Sequence, residues 1–406
     1  MIGFFRKKYK EIIYCLTFIS IVLAPLIVQA WNAFFTFKGY TDLKHILRAS
    51  TRIFNHELIY NPGDFSNDTP YLYAPYFAYL MGILKIIGHE RIEMFVWNIC
   101  SYLLLWLALK MTEKLLTADA PSKLPWFFYP LLLLFCFRFF LVNLRLGQVD
   151  VLLCAFLLAS LYLLYKKKDI YGGALLSALV LVKLPLAIFI ILLVLEKKWK
   201  AILSFIFAGL FLLLLPALHL GWDENLFFLE AWKTTLTTKA TNEITYAYRN
   251  HSIYAFYMRL IGFFSPSLEF SKIHHVSYLW GIFTSSILLI LSLIIYYFKS
   301  ISYHIRFCGL SSCLIILMIV SSPTAWKATF IHQILPAGFL LYVWWKNNKG
   351  GYLIPVGLFL SFALSSLISI GTLPMEFKIF MWQLSTIFLS SALILVLLWV
   401  IPFKKV

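Results

Sequence analysis

The sequence predicts an all-α polytopic membrane protein, and three observations carry that prediction. Of 406 residues, 61% are hydrophobic, 18% aromatic and only 13% charged, more apolar surface than a water-exposed fold of this size could hide. Apolar runs of spanning length recur along the whole chain. The Lys and Arg residues behind a formal charge of +17 sit in short clusters between those runs, where positive residues fix membrane orientation. That placement argues against nucleic acid as the partner.

The first run, Ile12 to Phe35, follows Arg6, Lys7, Lys8 and Lys10, and its length favours a retained spanning helix over a cleaved signal. Further runs cover 91–111, 124–144, 149–165, 200–220, 276–298, 305–322, 328–345, 351–371 and 379–402. Segments 71–87 and 170–195 are apolar but interrupted, and the total comes to about 11–13 transmembrane helices. Cys15, Cys100, Cys136, Cys154, Cys308 and Cys313 all lie inside apolar runs without CxxC spacing and read as packing residues.

Charge then orders the crossings. Arg6-Lys7-Lys8, Lys166-Lys167-Lys168, Lys197-Lys198, Lys346 to Lys349 and Lys404-Lys405 mark the cytoplasm, so an even number of crossings separates any two. Parity makes Tyr71 to Ile87, broken by Pro75 and Gly82, a segment that dips without crossing. It makes Tyr171 to Leu195 a broken hairpin with Lys183-Leu184-Pro185 at its bend, since Pro removes a backbone donor and a lysine in an apolar run needs a polar cavity. Residues 36–70, 145–150, 221–275, 323–327 and 372–378 then face outward. In the first of these, Asp42 to Ala49 carries Leu43, Ile46 and Leu47 at the spacing of an amphipathic helix on the membrane surface. Ile253 to Phe264 reads as a second surface helix. The whole chain, 1–406, is expected to form a single integral membrane domain with two large outer loops, at 36–75 and 221–275.

Five clusters of ionisable residues collect on that outer side. Asp42 reads either as a helix N-cap or as a carboxylate general base at the interface. Asn143, Arg145, Gly147, Gln148 and Asp150 join two strongly apolar spans, as a polar turn or as a cavity lining. Lys183 requires an anionic partner or water, and a lipid phosphate suits an ammonium. Arg249, Asn250 and His251 close the second large loop, where Arg249 and His251 could clamp a phosphate or sit in solvent. Trp326 and Lys327 lie at another outer junction, Trp326 equally readable as a belt residue. One candidate base with several cations suits transfer chemistry on an anionic, lipid-linked substrate.

These residues give the chain a family resemblance. It resembles polyprenol-phosphate-sugar-dependent membrane glycosyltransferases of the GT-C class, in particular glycosyltransferase family 87, which includes mycobacterial mannosyl- and arabinofuranosyltransferases. The matching pieces are Asp42-Leu43, Tyr60-Asn61-Pro62, Tyr71 to Phe77, Asn143 to Asp150, Lys183-Leu184-Pro185, Asn250 to Ile253 and Ser322 to Lys327. The Gly-Gln turn followed one hairpin later by Lys-x-Pro is the most specific. Family members usually carry Asn at position 150, Tyr-Pro-Pro at 73–75 and Gln at 251, where this chain has Asp150, Tyr73-Ala74-Pro75 and His251.

The resemblance implies a GT-C fold in the bacterial inner membrane, with the active site facing the periplasm. It implies an inverting transferase that moves mannose or another hexose from a polyprenyl phosphate to a lipid or glycan acceptor. Asp42 would be the base. Tyr73, Arg145, Gln148, Asp150, Lys183, Arg249, Asn250, His251, Trp326 and Lys327 would bind substrate, with membrane lipids around them. No cofactor and no metal are expected, because no His/Asp/Glu cluster has metal-ligand spacing. The rival reading is a transporter or flippase of a lipid-linked anion, in which Lys183 and Arg249 bind cargo and Asp42 caps a helix.

Overall fold

The computed structural model describes residues 12, 16, 23–32, 34, 40–60, 71–119, 123–239, 249–298, 301–347, 351–367 and 373–400. The N-terminal cluster Arg6-Lys7-Lys8 with Lys10, most of the first run, Asn61-Pro62, Lys349 and Lys404-Lys405 lie outside the described residues. Every regular element described is a helix. In order they are α1 (Ala24–Trp31), α2 (Thr41–Phe54), α3 (Pro75–Lys85), α4 (Glu90–Leu116), α5 (Phe128–Leu146), α6 (Asp150–Tyr165), α7 (Asp169–Val182) and α8 (Phe189–Leu195). There follow α9 (Trp199–Leu214), α10 (Ala217–Leu220), α11 (Trp222–Lys239), α12 (Ile253–Phe264), α13 (Phe270–Phe298), α14 (Tyr303–Val320), α15 (Ile334–Asn347), α16 (Leu353–Ser365), α17 (Met375–Gln383) and α18 (Thr386–Val400). Two 3-10 turns, Leu184–Ile188 and Lys327–Gln333, precede α8 and α15.

Among the described residues five helices are long and apolar enough to cross a membrane, six if the bent pair α17 and α18 counts as one. The chain is therefore an all-α polytopic membrane protein. Other expected crossings fall on apolar helices of 10–17 residues, such as α6, α7 and α16, too short to span about 30 Å alone. The expected span 379–402 also needs correction: it is bent by 49° between α17 and α18, where Ser385 has φ 58°. The break falls where Gln383, Ser385 and Thr386 interrupt the apolar run. Helix α11 was not foreseen either, although Asp223 and Glu224 mark its first turn.

Contacts divide the chain into two compact units, each drawn from two stretches: 1–108 with 140–242, and 109–139 with 243–406. In the first unit, the bend expected at Lys183 is present. Helix α7 ends at Val182, Lys183 is extended (φ −142°, ψ 98°), and a 3-10 turn with Pro185 leads into α8. Fourteen α-helical residues rise about 21 Å, and five 3-10 plus seven α residues return about 20 Å, so the hairpin closes on itself. The closure is visible as Lys198 Nζ, beyond α8, donating to Asp169 Oδ1 at the start of α7 (3.0 Å). Lys183 thus stands at the tip, about 20 Å from the lysine turns.

Helices α7 and α9 run side by side. Ser204 Oγ donates to the Ile170 carbonyl (2.7 Å), and a Cβ at Gly173 would fall on the Ala201 carbonyl. The opposite side of α9 is exposed apolar surface, with Phe207 at 68% and Phe211 at 63%, as a lipid-facing helix requires.

In the second unit, α14 is the interior helix, with 83% of its spanning window buried against 11% for α13. The helix expected at Ile253 to Phe264 is present as α12, starting where Ser252 Oγ accepts from Ala255 N–H (3.2 Å) as an N-cap. Gly173→Val is expected to lower stability by about 1–3 kcal/mol through overpacking of α7 against α9. Thermal unfolding in mild detergent measures it, and a variant as stable as the wild type would contradict the close approach.

Candidate active site

The first unit assembles its polar site from a turn. Gly147 sits at φ +67°, which favours glycine, and a Cβ there would come within 2.5 Å of Leu43 Cβ. The 147–148 turn, closed by Gln148 N–H donating to the Asn143 carbonyl (3.0 Å), therefore lies directly on the first turn of α2. Tyr40, itself at φ 57°, anchors the same join. Its N–H donates to the Arg145 carbonyl (2.8 Å), its hydroxyl donates to the Gln29 carbonyl (3.0 Å), and Asn98 donates to that hydroxyl (2.5 Å).

Docked in this way, the Gln148 side-chain amide donates to the Asp42 carboxylate. Asp42 is not the N-cap: Tyr40 holds that position, and Asp42 is the second residue of the helix, half-buried near its positive end. The Arg145 side chain is exposed beside the turn.

Asp150 opens α6 and is buried, where Lys183 Nζ meets its Oδ1 at 2.6 Å. The carboxylate is 3% exposed and the ammonium 21%, so the lysine keeps an open side. An ammonium has three donors and Asp150 engages one of them. The 71–76 loop is fastened along the end of α7 by Ala74 N–H to the Leu181 carbonyl (3.2 Å) and the Tyr76 hydroxyl to the Ala178 carbonyl. This brings Tyr73 to the carboxylates. Burial pushes the Tyr73 phenol above its ordinary range, and the charges of Asp150 and Asp42 raise it further, so it stays protonated and able to donate.

An apolar cavity of about 780 Å3 opens along the same elements, lined by Phe54, Tyr76, Tyr79, Ile83, Ala178 and Leu212 among others. Tyr76 follows Tyr73 by one turn, and Ala178 precedes Lys183 by five residues.

The second unit holds the other group of expected residues. The buried Asn250 side chain makes three hydrogen bonds: it donates to the Pro323 carbonyl (2.8 Å) and accepts from Ser252 N–H (3.1 Å) and Ala325 N–H (2.9 Å). With His251 N–H donating to the Ala325 carbonyl (2.9 Å), it fastens the 250–252 loop to the 322–326 loop. His251 lies edge-on to Phe330 and Trp382, and Lys327 Nζ sits 3.7 Å above the Trp382 ring. Arg259 donates to Ser385 Oγ (2.8 Å) and to the Asn250 carbonyl (3.0 Å). Burial, then the charges of Lys327 and Arg259, hold the His251 imidazole well below its usual pKa, so it is neutral at pH 7. Arg249 is exposed at the loop's edge, and Trp326 is half-buried.

Sequence reasoning missed Arg259, Trp382 and Ser385. The polar residues Gln383, Ser385 and Thr386 at the bend, and an arginine inside the surface helix α12, were usable signals. Among the described residues no group of three or more His, Cys, Asp or Glu is placed to hold a metal ion.

A sequence model of glycosyltransferase family 87 matches residues 71–323, well over half of the chain. The chain belongs to glycosyltransferase family 87. This family 87 enzyme has no significant match among curated proteins or solved structures. The matched stretch contains Tyr73, Arg145, Gln148, Asp150, Lys183, Arg249, Asn250 and His251, whereas Asp42, Trp326 and Lys327 fall outside it.

Two outcomes follow from the geometry. Lys183→Met is expected to cost roughly 3 kcal/mol, because it strands a buried carboxylate while the partly exposed lysine moderates the loss. Adding Asp150→Asn should recover most of that stability without activity; thermal unfolding and turnover on the two variants separate the roles. His251 binds protons less readily folded than unfolded, so stability is full above about pH 6.5 and falls as pH drops below it. The melting temperature between pH 7.5 and 5.5 should fall less in His251→Gln than in the wild type.

Proposed function

We propose that this glycosyltransferase takes a hexose, most simply mannose, from a polyprenyl-phosphate donor and passes it with inversion to a hydroxyl of a lipid or glycan acceptor. Asp42 is the general base. The observation that carries the reading is the Asp42 carboxylate held by Gln148 beside the Asp150–Lys183 pair. One base and a cation next to it suit a single displacement, whereas a double displacement needs a second carboxylate as nucleophile, and Asp150 is engaged with lysine.

In the proposed step the acceptor oxygen gives its proton to Asp42 as it bonds to the anomeric carbon. The bond from that carbon to the phosphate oxygen breaks, and the polyprenyl phosphate leaves with the electron pair. Lys183, whose side chain is 21% exposed, stabilises the charge on the departing phosphate. Gln148 aims the Asp42 lone pair, and the Tyr73 phenol and the Asp150 oxygen turned from Lys183 orient sugar hydroxyls. Arg145, an exposed cation of the first unit, is assigned to the lipid-linked substrate, and Arg249, Asn250, His251, Trp326 and Lys327 of the second unit are assigned a substrate-binding role of their own. The apolar cavity along α3 and α7 supports a substrate with a lipid tail.

The proposed setting is the inner membrane, with this chemistry at its outer face. Membership of a glycosyltransferase family favours transfer over translocation. The test is sugar transfer to membrane lipid extract from radiolabelled polyprenyl-phosphate mannose and a panel of related donors. Wild type is expected to transfer, and Asp42→Asn to lose at least about 100-fold in turnover while still binding donor. Transport of lipid-linked sugar across proteoliposomes without transfer from any donor would overturn the proposal in favour of a flippase.

A further inference from the structure

At the opposite end of the α7–α8 hairpin from Lys183, two turns carry six lysines within short reach of each other. Lys166, Lys167 and Lys168 join α6 to α7, and Lys197, Lys198 and Lys200 lead into α9. Lys198 is buried and links the turns, donating to Asp169 (3.0 Å) and to the Leu164 carbonyl (2.8 Å). The other five are exposed, and only Asp169 and Glu196 oppose them, leaving a local charge of six minus two. Lys167, Lys168, Lys197 and Lys200 have no ion-pair partner among the described residues.

Two further features concentrate positive potential there. Helices α7 and α9 are parallel neighbours, so their positive ends lie together, and neither has a side-chain cap. In each turn the second residue after the preceding helix is a lysine at positive φ, Lys167 at 57° and Lys197 at 51°. Both turns close with the paired backbone bonds that usually end on glycine, Lys168 to Leu163 and Lys198 to Leu193 among them. A lysine is the more strained choice at both positions, and what it adds over glycine is charge.

The surroundings belong to a membrane interface. Trp199, Ile170 and Tyr171 are at least 59% exposed beside the lysines, and the lipid-facing side of α9 continues from them. We propose that the two lysine turns form a binding site for the headgroup of an anionic phospholipid. The phosphate would sit over the paired helix ends, and the acyl chains would lie along Phe207 and Phe211 of α9. Such a lipid neutralises charges that otherwise repel each other and braces the hairpin that holds Lys183 at its far tip.

The experiment uses the full chain in mixed micelles titrated with phosphatidylglycerol or with phosphatidylcholine of the same chains, reading thermal stabilisation. Phosphatidylglycerol is expected to stabilise at lower mole fraction, and Lys167→Gln with Lys197→Gln to weaken that preference roughly 25-fold, at about fivefold per lysine. A matched control, Lys233→Gln with Lys272→Gln, removes two exposed lysines elsewhere and is expected to change it little. Unfolding in phosphatidylcholine alone checks that both variants fold. Equal stabilisation by the two lipids, equal loss in the control, or full replacement of the lipid by millimolar inorganic phosphate would each overturn the proposal.

Discussion

An ammonium inside a hairpin of Leu, Val and Ile must find a negative charge, and the pairing of Lys183 with Asp150 answers that constraint. Much of the first unit follows from it. Asp150 is available only because the 147–148 turn starts α6 at that residue, and Lys183 reaches it only because the hairpin breaks before Pro185. With the pair formed, the tip of the hairpin is joined to the turn that lies on α2. Asp42, Gln148, Asp150, Lys183 and Tyr73 then belong to one connected patch.

The patch is positioned by backbone rather than by its own polar contacts. Leu43 against Gly147, Tyr40 against Arg145, and Ala74 against Leu181 are main-chain or close-packed joins, which vary little with side-chain rotamer. Held by them, a half-buried carboxylate keeps its direction toward Gln148. The second unit uses the same device: Asn250 fastens two loops with three side-chain hydrogen bonds, and the ring and cation chemistry of His251, Trp382 and Lys327 is hung on that join. Asn250, expected to touch substrate, thus serves first as a brace.

The family assignment and the geometry support each other from different residues. The matched stretch ends before Trp326 and begins after Asp42, so it says nothing of the base, whose case rests on the contact with Gln148. Asp150 and His251, where the resemblance expects Asn and Gln, are both buried, one in an ion pair and one held neutral. A carboxylate at 150 turns a polar neighbour of Lys183 into an ion-pair partner. A buried imidazole at 251 makes the second unit sensitive to acid.

Composition and spacing alone determined the membrane class, the hairpin with Lys183 at its bend, the N-terminus of α12 and the Gly-Gln turn. Each follows from local or one-dimensional physics: apolar length, charge parity, proline's missing donor and glycine's positive φ. Tertiary structure alone decided that Asp42 faces Gln148 instead of capping its helix, that Asp150 is the partner of Lys183, that Arg259, Trp382 and Ser385 join the His251 cluster, and that α17 and α18 are bent apart. Those contacts join residues from 9 to 131 positions apart in the chain. A short polar break such as Gln383 to Thr386 reads the same whether the helix is straight or kinked, and a carboxylate the same whether it caps a helix or meets an amide, so only the packed chain distinguishes them.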